Sequence, residues 1–354
     1  MCLQTFAFIA NMQRYDENGR KRRKQMVRLK DIAETCGVSV ATVSRALNGV
    51  TNENKERAAF ICKTAKEMGY YPNAAARTLK TSRSNNIGIL YEDRMNHEYF
   101  SSLLDDLRSC ADAKGYDLTL IGQGRGEEAG NYYEHVRRRN LDGVVVIQAD
   151  FDSANVIRLA TSAIPAVIID HIYEGCDCVA SDNKASIEQL VRYASNKGHR
   201  KIALIQGETG AVSRERLSGF YKICAELGLR VEEGFVRKGH FHDPESCYKT
   251  ILDLMNGAEK PTCILCPDDY SCFGAMWLLR QAGIQVPGDI SLIGFDGIRI
   301  TQMVSPRLTT YRQNTRSISE EAIQLLTEAI EEPDTHIPRQ ITVQGQLVKG
   351  ETVG

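Results

Sequence analysis

Three carboxylates stand directly behind apolar runs: Asp170 after Val167-Ile168-Ile169, Asp268 after Ile264-Leu265-Cys266-Pro267, and Asp296 after Leu292-Ile293-Gly294-Phe295. Carboxylates accept hydrogen bonds at several sites, and a guanidinium offers a rigid fork of donors. Arg216, which opens Arg216-Leu217-Ser218-Gly219-Phe220, supplies that fork. Tyr99, Phe100 and Phe241 supply flat apolar faces of the kind that line small-ligand pockets. Such a set suits a ligand dense in hydroxyl groups. Paired carboxylates also cleave glycosides, so sugar hydrolysis is a rival chemistry. Each residue has a plainer use as well: an Asp after a strand often caps a helix, an Arg opening a helix faces water, and aromatic rings fill cores.

A second set points at nucleic acid. Leu29, Ile32 and Ala33 recur at helical spacing, Asp31 favours a first turn, and Gly37 stops the helix. Ser39 sits where a side-chain oxygen caps free amides, and Val43, Ala46 and Leu47 form the apolar side of the next helix. Its other side carries Val40, Ala41, Thr42, Ser44 and Arg45. Two short helices joined by so short a turn, the second presenting small, hydroxyl-bearing and basic groups, fit a helix-turn-helix whose second helix enters the major groove. Ala58, Ile61, Cys62, Ala65 and Met68 give a third helix, capped by Thr51 or Asn52 and ended by Gly69, that closes a small core.

The elements that must hold the carboxylates begin near Asn86. Ile87–Tyr91, Leu118–Ile121, Val144–Ile147, Val167–Ile169, Ile202–Ile205, Cys263–Cys266 and Ile290–Ile293 are short β-rich runs, most of them separated by amphipathic stretches such as 100–114, 187–197, 216–227 and 273–282. Buried strands alternating with helices imply parallel sheets covered on both faces, with ligands outside the carboxyl ends of the strands.

The charge distribution agrees with two kinds of partner. The 354 residues carry a net charge of -1, yet residues 1–85 hold 16 Lys and Arg against 7 Asp and Glu, and the remainder 28 against 38. A basic head on an acidic body suits a polyanion bound by the head alone. Eleven cysteines, an odd number without a signal peptide ahead of them, indicate reduced thiols in a cytoplasm. Cys263/Cys266 and Cys176/Cys178 are local pairs, but a structural metal site calls for two such pairs or paired histidines, so no metal and no cofactor is expected. No run reaches the ~18 apolar residues of a membrane span.

Val27-Arg28-Leu29-Lys30-Asp31-Ile32-Ala33, Gly37-Val38-Ser39-Val40-Ala41-Thr42-Val43-Ser44-Arg45-Ala46-Leu47-Asn48 and Gly69-Tyr70-Tyr71-Pro72-Asn73-Ala74-Ala75-Ala76-Arg77 closely resemble the head of the lac repressor/galactose repressor family of bacterial transcription regulators. The resemblance implies an α/β chain: a small all-α helix-turn-helix head followed by a two-lobed, periplasmic-binding-protein-like body with parallel sheets. It places a flexible extension at 1–26, the DNA-binding domain at 27–72, a hinge helix and linker at 73–85, and an effector-binding and dimerisation body at 86–354. The lobes fall near 86–181 and 183–306, with the chain returning to the first through 309–333 and ending in the second. Asn48, Asn73 and Lys80 join Val40, Ala41, Thr42, Ser44 and Arg45 as implied DNA contacts, and Leu79 is the implied wedge between base pairs. Tyr99, Phe100, Asp170, Arg216, Phe241, Asp268 and Asp296 all match effector-contacting positions of the family. Three residues depart from its pattern. Arg28 replaces a capping Thr, which predicts a first helix that frays more easily. Asp268 replaces the usual Asn and Gly297 a frequent second Asp, and a more acidic pocket favours a neutral sugar over a phosphorylated or carboxylate effector.

The expected protein is a homodimeric, or dimer-of-dimers, repressor of double-stranded operator DNA controlled by a small molecule. Control by a corepressor protein and a sugar-binding protein without regulatory role are the alternatives, the second in the form of a periplasmic carrier.

Overall fold

The computed structural model describes residues 27–47, 55–70, 83–92, 97–122 and 131–354. The chain divides into two compact units, Met1–Ser82 and Arg83–Gly354.

In the first unit lie α1 (Leu29–Cys36), α2 (Val40–Leu47) and α3 (Lys55–Glu67). Ile32, Ala33, Val43, Ala46, Ile61 and Ala65 are buried together, with Leu29, Leu47, Ala58 and Met68 packed around them. Gly37 ends α1 at φ 64°, a left-handed turn that costs a residue without Cβ nothing. Arg28 brings no side-chain cap, but the Asp31 carboxylate reaches back to accept its backbone N–H at 2.8 Å. Ser39 Oγ accepts the Thr42 N–H at 3.2 Å at the start of α2.

The second unit holds two six-stranded sheets. Its elements are β1 (Asn86–Tyr91), α4 (Glu98–Lys114), β2 (Asp117–Ile121), α5 (Tyr132–Arg139), β3 (Gly143–Ile147), α6 (Ala154–Ala160), β4 (Ala166–Ile169), β5 (Asp177–Ser181), α7 (Asn183–Asn196), β6 (Ile202–Gln206), α8 (Ala211–Glu226), β7 (Val236–Lys238), α9 (Pro244–Asn256), β8 (Cys263–Leu265), α10 (Asp269–Gln281), β9 (Ser291–Asp296), a 3₁₀ turn (Arg299–Gln302), β10 (Thr309–Arg312), α11 (Thr315–Glu331), β11 (Gln340–Val343) and β12 (Gln346–Val348). The first sheet runs β11-β5-β4-β3-β1-β2 and the second β12-β10-β9-β8-β6-β7. All pairings are parallel except β10 with β12. Each sheet is apolar on both faces: the first packs α4 and α11 on one side and α5 and α6 on the other. The second packs α7 and α8 opposite α9 and α10. That is why the strand runs read as unbroken apolar segments rather than alternating ones.

All seven predicted strands are present. The course of the return differs from the expectation: Thr309–Arg312 pairs with β9 in the second sheet, and only from Thr315 does α11 cover the first. The chain therefore crosses between lobes three times, at 181–183, 312–315 and 343–346. No helix among the described residues is long and apolar enough to cross a membrane.

Candidate functional site

On α2, Val43 and Ala46 face inward, which leaves Val40, Ala41 and Arg45 exposed and Thr42 and Ser44 half-buried. Val40 is an apolar side chain with 43% of its surface in water. Arg45 is exposed, and its Nε donates to the Ala41 carbonyl at 3.4 Å. Asn48, Asn73, Leu79 and Lys80 lie outside the described residues.

The body gathers its polar groups where strands end. Asp170 follows β4 at φ 61° and Asp296 closes β9 at φ 107°, left-handed conformations uncommon outside glycine that cluster at ligand-binding positions. Arg216 points in from the second turn of α8 and is buried. Its Nε donates to Asn183 Oδ1 at 3.0 Å and its Nη1 to the Pro267 carbonyl at 2.8 Å. The guanidinium lies 3.4 Å from the Phe295 ring centroid, with Phe241 on another side at 5.7 Å. Burial lowers its pKa while Asp296, Asp170 and Asp268 oppose that, and a guanidinium stays charged in either case. Gly207 makes room for Phe241, since a Cβ there would meet that ring at 2.1 Å.

The carboxylates respond oppositely to the same burial. Burial pushes Asp170 upward, against the Ser181 N–H (3.0 Å) and the charge of Arg216. Burial and the neighbouring charge of Asp268 push Asp296 up to about 7, with Arg216 and a 2.7 Å bond from Gln313 Nε2 holding it down. Tyr99 Oη, buried in the field of Asp170, Asp296 and Arg216, has no well-formed hydrogen bond among the described residues, and burial followed by those carboxylates raises its pKa well above the usual value. Leaving a buried hydroxyl unmatched costs about 1–3 kcal/mol, a cost that a ligand can relieve.

Two predicted residues take structural places. Phe100 stacks on Tyr91 at 3.7 Å, and it and Tyr99 are both buried in the first lobe's core. Asp268 caps α10, accepting Ser271 N–H and Oγ–H, each at 2.7 Å, and the His242 N–H at 2.9 Å. His242, Asp268 and Asp296 bring potential metal-ligand atoms within 4.8 Å of one another. The thiols of both local Cys pairs are free; burial raises those of Cys176, Cys178 and Cys263, and a hydrogen bond with Cys272 followed by burial raises that of Cys266.

Other residues at the site escaped the sequence reading. Gln148 follows β3 as Asp170 follows β4, and among the described residues its Oε1 is buried without a hydrogen-bond partner, as is Ser213 Oγ at the start of α8. His97 caps α4 and stacks on His242 at 3.7 Å, one ring from each lobe. Most telling is a chain of bonds through the crossovers. Ser181 donates its N–H to Asp170 and its hydroxyl to Gln313 Oε1, and Gln313 Nε2 donates to Asp296.

Residues 28–73 match the family described as bacterial regulatory proteins, lacI family, and residues 191–353 match the periplasmic binding protein-like domain. The chain is 31% identical over 336 residues to the HTH-type transcriptional repressor PurR of Vibrio campbellii, covering 93% of this chain and 99% of that protein. It is 30% identical over 314 residues to the repressor of the same name from Histophilus somni, with coverage of 87% and 93%. Among solved structures, the lac repressor dimer bound to operator and the anti-inducer ONPF superimposes with a TM-score of 0.79 at 23% identity, covering 93% of this chain and 99% of that one. The transcriptional regulator CelR in complex with cellobiose gives 0.70 at 22%, with coverage of 92% and 99%. The helix-turn-helix surface and the two-lobed cleft thus occur together along nearly the whole length of these relatives, and the chain belongs to the lacI family of bacterial regulatory proteins.

Proposed function

We propose that the protein is a sequence-specific DNA-binding repressor, acting in the cytoplasm as a homodimer, whose operator affinity is set by a small molecule held between the two lobes. The observation that carries the effector half is the convergence of the buried Tyr99 hydroxyl, the Asp170 and Asp296 carboxylates and the buried Arg216 guanidinium in one place. Asp170 and Asp296, with Asp268 behind them, face one guanidinium, which disfavours an anionic ligand and leaves carboxylate oxygens to accept hydrogen bonds from hydroxyl groups, so the effector is a neutral sugar. The relatives support this use of the fold: one solved structure holds cellobiose and another, a LacI family transcriptional regulator from Enterococcus faecium, holds ribose. The stacked rings of His97 and His242, with Phe241 tilted beside them, favour a second reading, a planar heterocycle with polar edges.

In the DNA half, Val40 and Ala41 touch base edges, Thr42 and Ser44 divide between bases and phosphates, and Arg45 offers its fork to a guanine. Against the reading as a sugar-cleaving enzyme stands the attached helix-turn-helix head, for which such an enzyme has no use.

A thermal-shift screen of the full chain against neutral sugars, sugar phosphates and nucleobases tests the effector, since a ligand that binds only the folded state raises the melting temperature. Selection of genomic fragments with and without each hit tests the repressor. A neutral sugar that shifts both readouts supports the proposal, a nucleobase that does so supports the second reading, and a hit that turns over or leaves DNA retention unchanged rejects it.

A further inference from the structure

Asp170 and Asp296 belong to different lobes, yet they are joined through protein groups alone. Asp170 Oδ1 accepts the Ser181 N–H at 3.0 Å, Ser181 Oγ donates to Gln313 Oε1, and Gln313 Nε2 donates to Asp296 Oδ1 at 2.7 Å. Ser181 is the last residue of β5, just before the first crossover, and Gln313 lies in the second. Both are buried, Gln313 at 7% exposure. An amide is the neutral side chain that accepts at one end and donates at the other, which is what a hydroxyl on one side and a carboxylate on the other require.

We infer that Gln313 is a positioning residue: its amide fixes the Asp296 carboxylate for the ligand and ties that carboxylate, through Ser181, to Asp170 and to two of the strand crossovers. The inference rests on the effector reading for its biological use, but the coupling itself needs no ligand. A ligand that bonds to either carboxylate changes the demand on the amide, and the amide sits in the segment that must bend if the lobes change their angle.

The charged groups around Asp296 come from every neighbouring element. Asp268 and Asp269 face it from the start of α10, Arg216 from α8, His242 from the loop before α9, and Tyr99 from α4. Asp268 and Asp269 disfavour its ionised form while Arg216, His242 and Gln313 favour it. A hydrogen bond to an ionised carboxylate is roughly twice as strong as one to a neutral acid.

The test is a thermal double-mutant cycle on the full chain without ligand, at pH 5 and pH 8. Gln313→Leu is expected to lower the melting temperature about twice as far at pH 8 as at pH 5, and that pH dependence is expected to disappear in the Asp296→Asn background. A residue that only fills space gives the same loss at both pH values, and that result overturns the inference. If Gln313→Leu fails to fold, Ser181→Ala cuts the chain of bonds from the other end, and Gln313→Glu keeps the shape while placing a second carboxyl against Asp296. Both are expected to show the same pH asymmetry, and its absence in both also overturns the inference. With a ligand from the screen, Gln313→Leu is expected to raise the Kd about tenfold. A failed screen with an intact thermal cycle removes the effector reading and leaves the coupling standing, whereas a ligand whose Kd ignores Gln313 removes the positioning role alone.

Discussion

The head and the cleft are built on opposite principles. The head buries six aliphatic and small residues and leaves Val40, Ala41 and Arg45 on its surface in water. The cleft withdraws its candidate contacts from water: Arg216 and Tyr99 are buried, Asp170 and Asp296 half-buried, and their pKa values move as a result. A surface that reads a polyanion gains from exposed cations and loses affinity in salt. A pocket that reads a neutral molecule gains from dipoles and charges fixed before the ligand arrives. Function should therefore be separable from stability in the head and inseparable from it in the cleft.

Substitutions can break that contrast. The largest effect is expected from Arg216→Ala, which leaves Asp170, Asp268 and Asp296 without their shared counter-charge. Removing one partner of a buried charge set costs about 3–5 kcal/mol, and for a body of this size that is a fall in melting temperature on the order of 10 °C. Arg45→Ala should cost about 1–3 kcal/mol of operator affinity in a gel shift and leave the melting curve in place. Equal melting losses for the two variants would erase the distinction.

Asp296 sharpens it further. Its carboxyl is raised in the folded protein to about 7, so the stability it contributes is complete below the ordinary carboxylate range and is lost as pH rises toward 7. Asp296→Asn should consequently melt higher than the wild type at pH 8 and level with it at pH 4, and a lower melting temperature at pH 8 would show that the charge is stabilising. The smallest effect belongs to the exposed pair of Lys222 with Glu188 at 2.8 Å, where Lys222→Ala should leave the melting temperature unchanged.

What the sequence revealed follows the same division. Strands buried on both faces announce themselves as Val, Ile and Leu runs, so seven were legible. The five that were not are polar or short: β5 is Asp177-Cys178-Val179-Ala180-Ser181, and β7, β11 and β12 lie at sheet edges where one side needs no apolar cover. Asp170, Asp268 and Asp296 were found because a carboxylate after a strand is a local pattern. Gln313 and His97 were not, because their roles depend on partners 132 and 145 residues away in the chain.

The crossing chain has a consequence for synthesis. The first lobe's core takes Ile318, Ala322, Ile323, Leu325, Leu326 and Ile330 from α11, and its sheet takes an edge strand from 340–343. A ribosome must therefore release almost the entire polypeptide before that lobe can seal, whereas the head emerges early with all three of its helices. Truncations near the carboxyl terminus should damage a domain encoded two hundred residues upstream and spare the part that binds DNA.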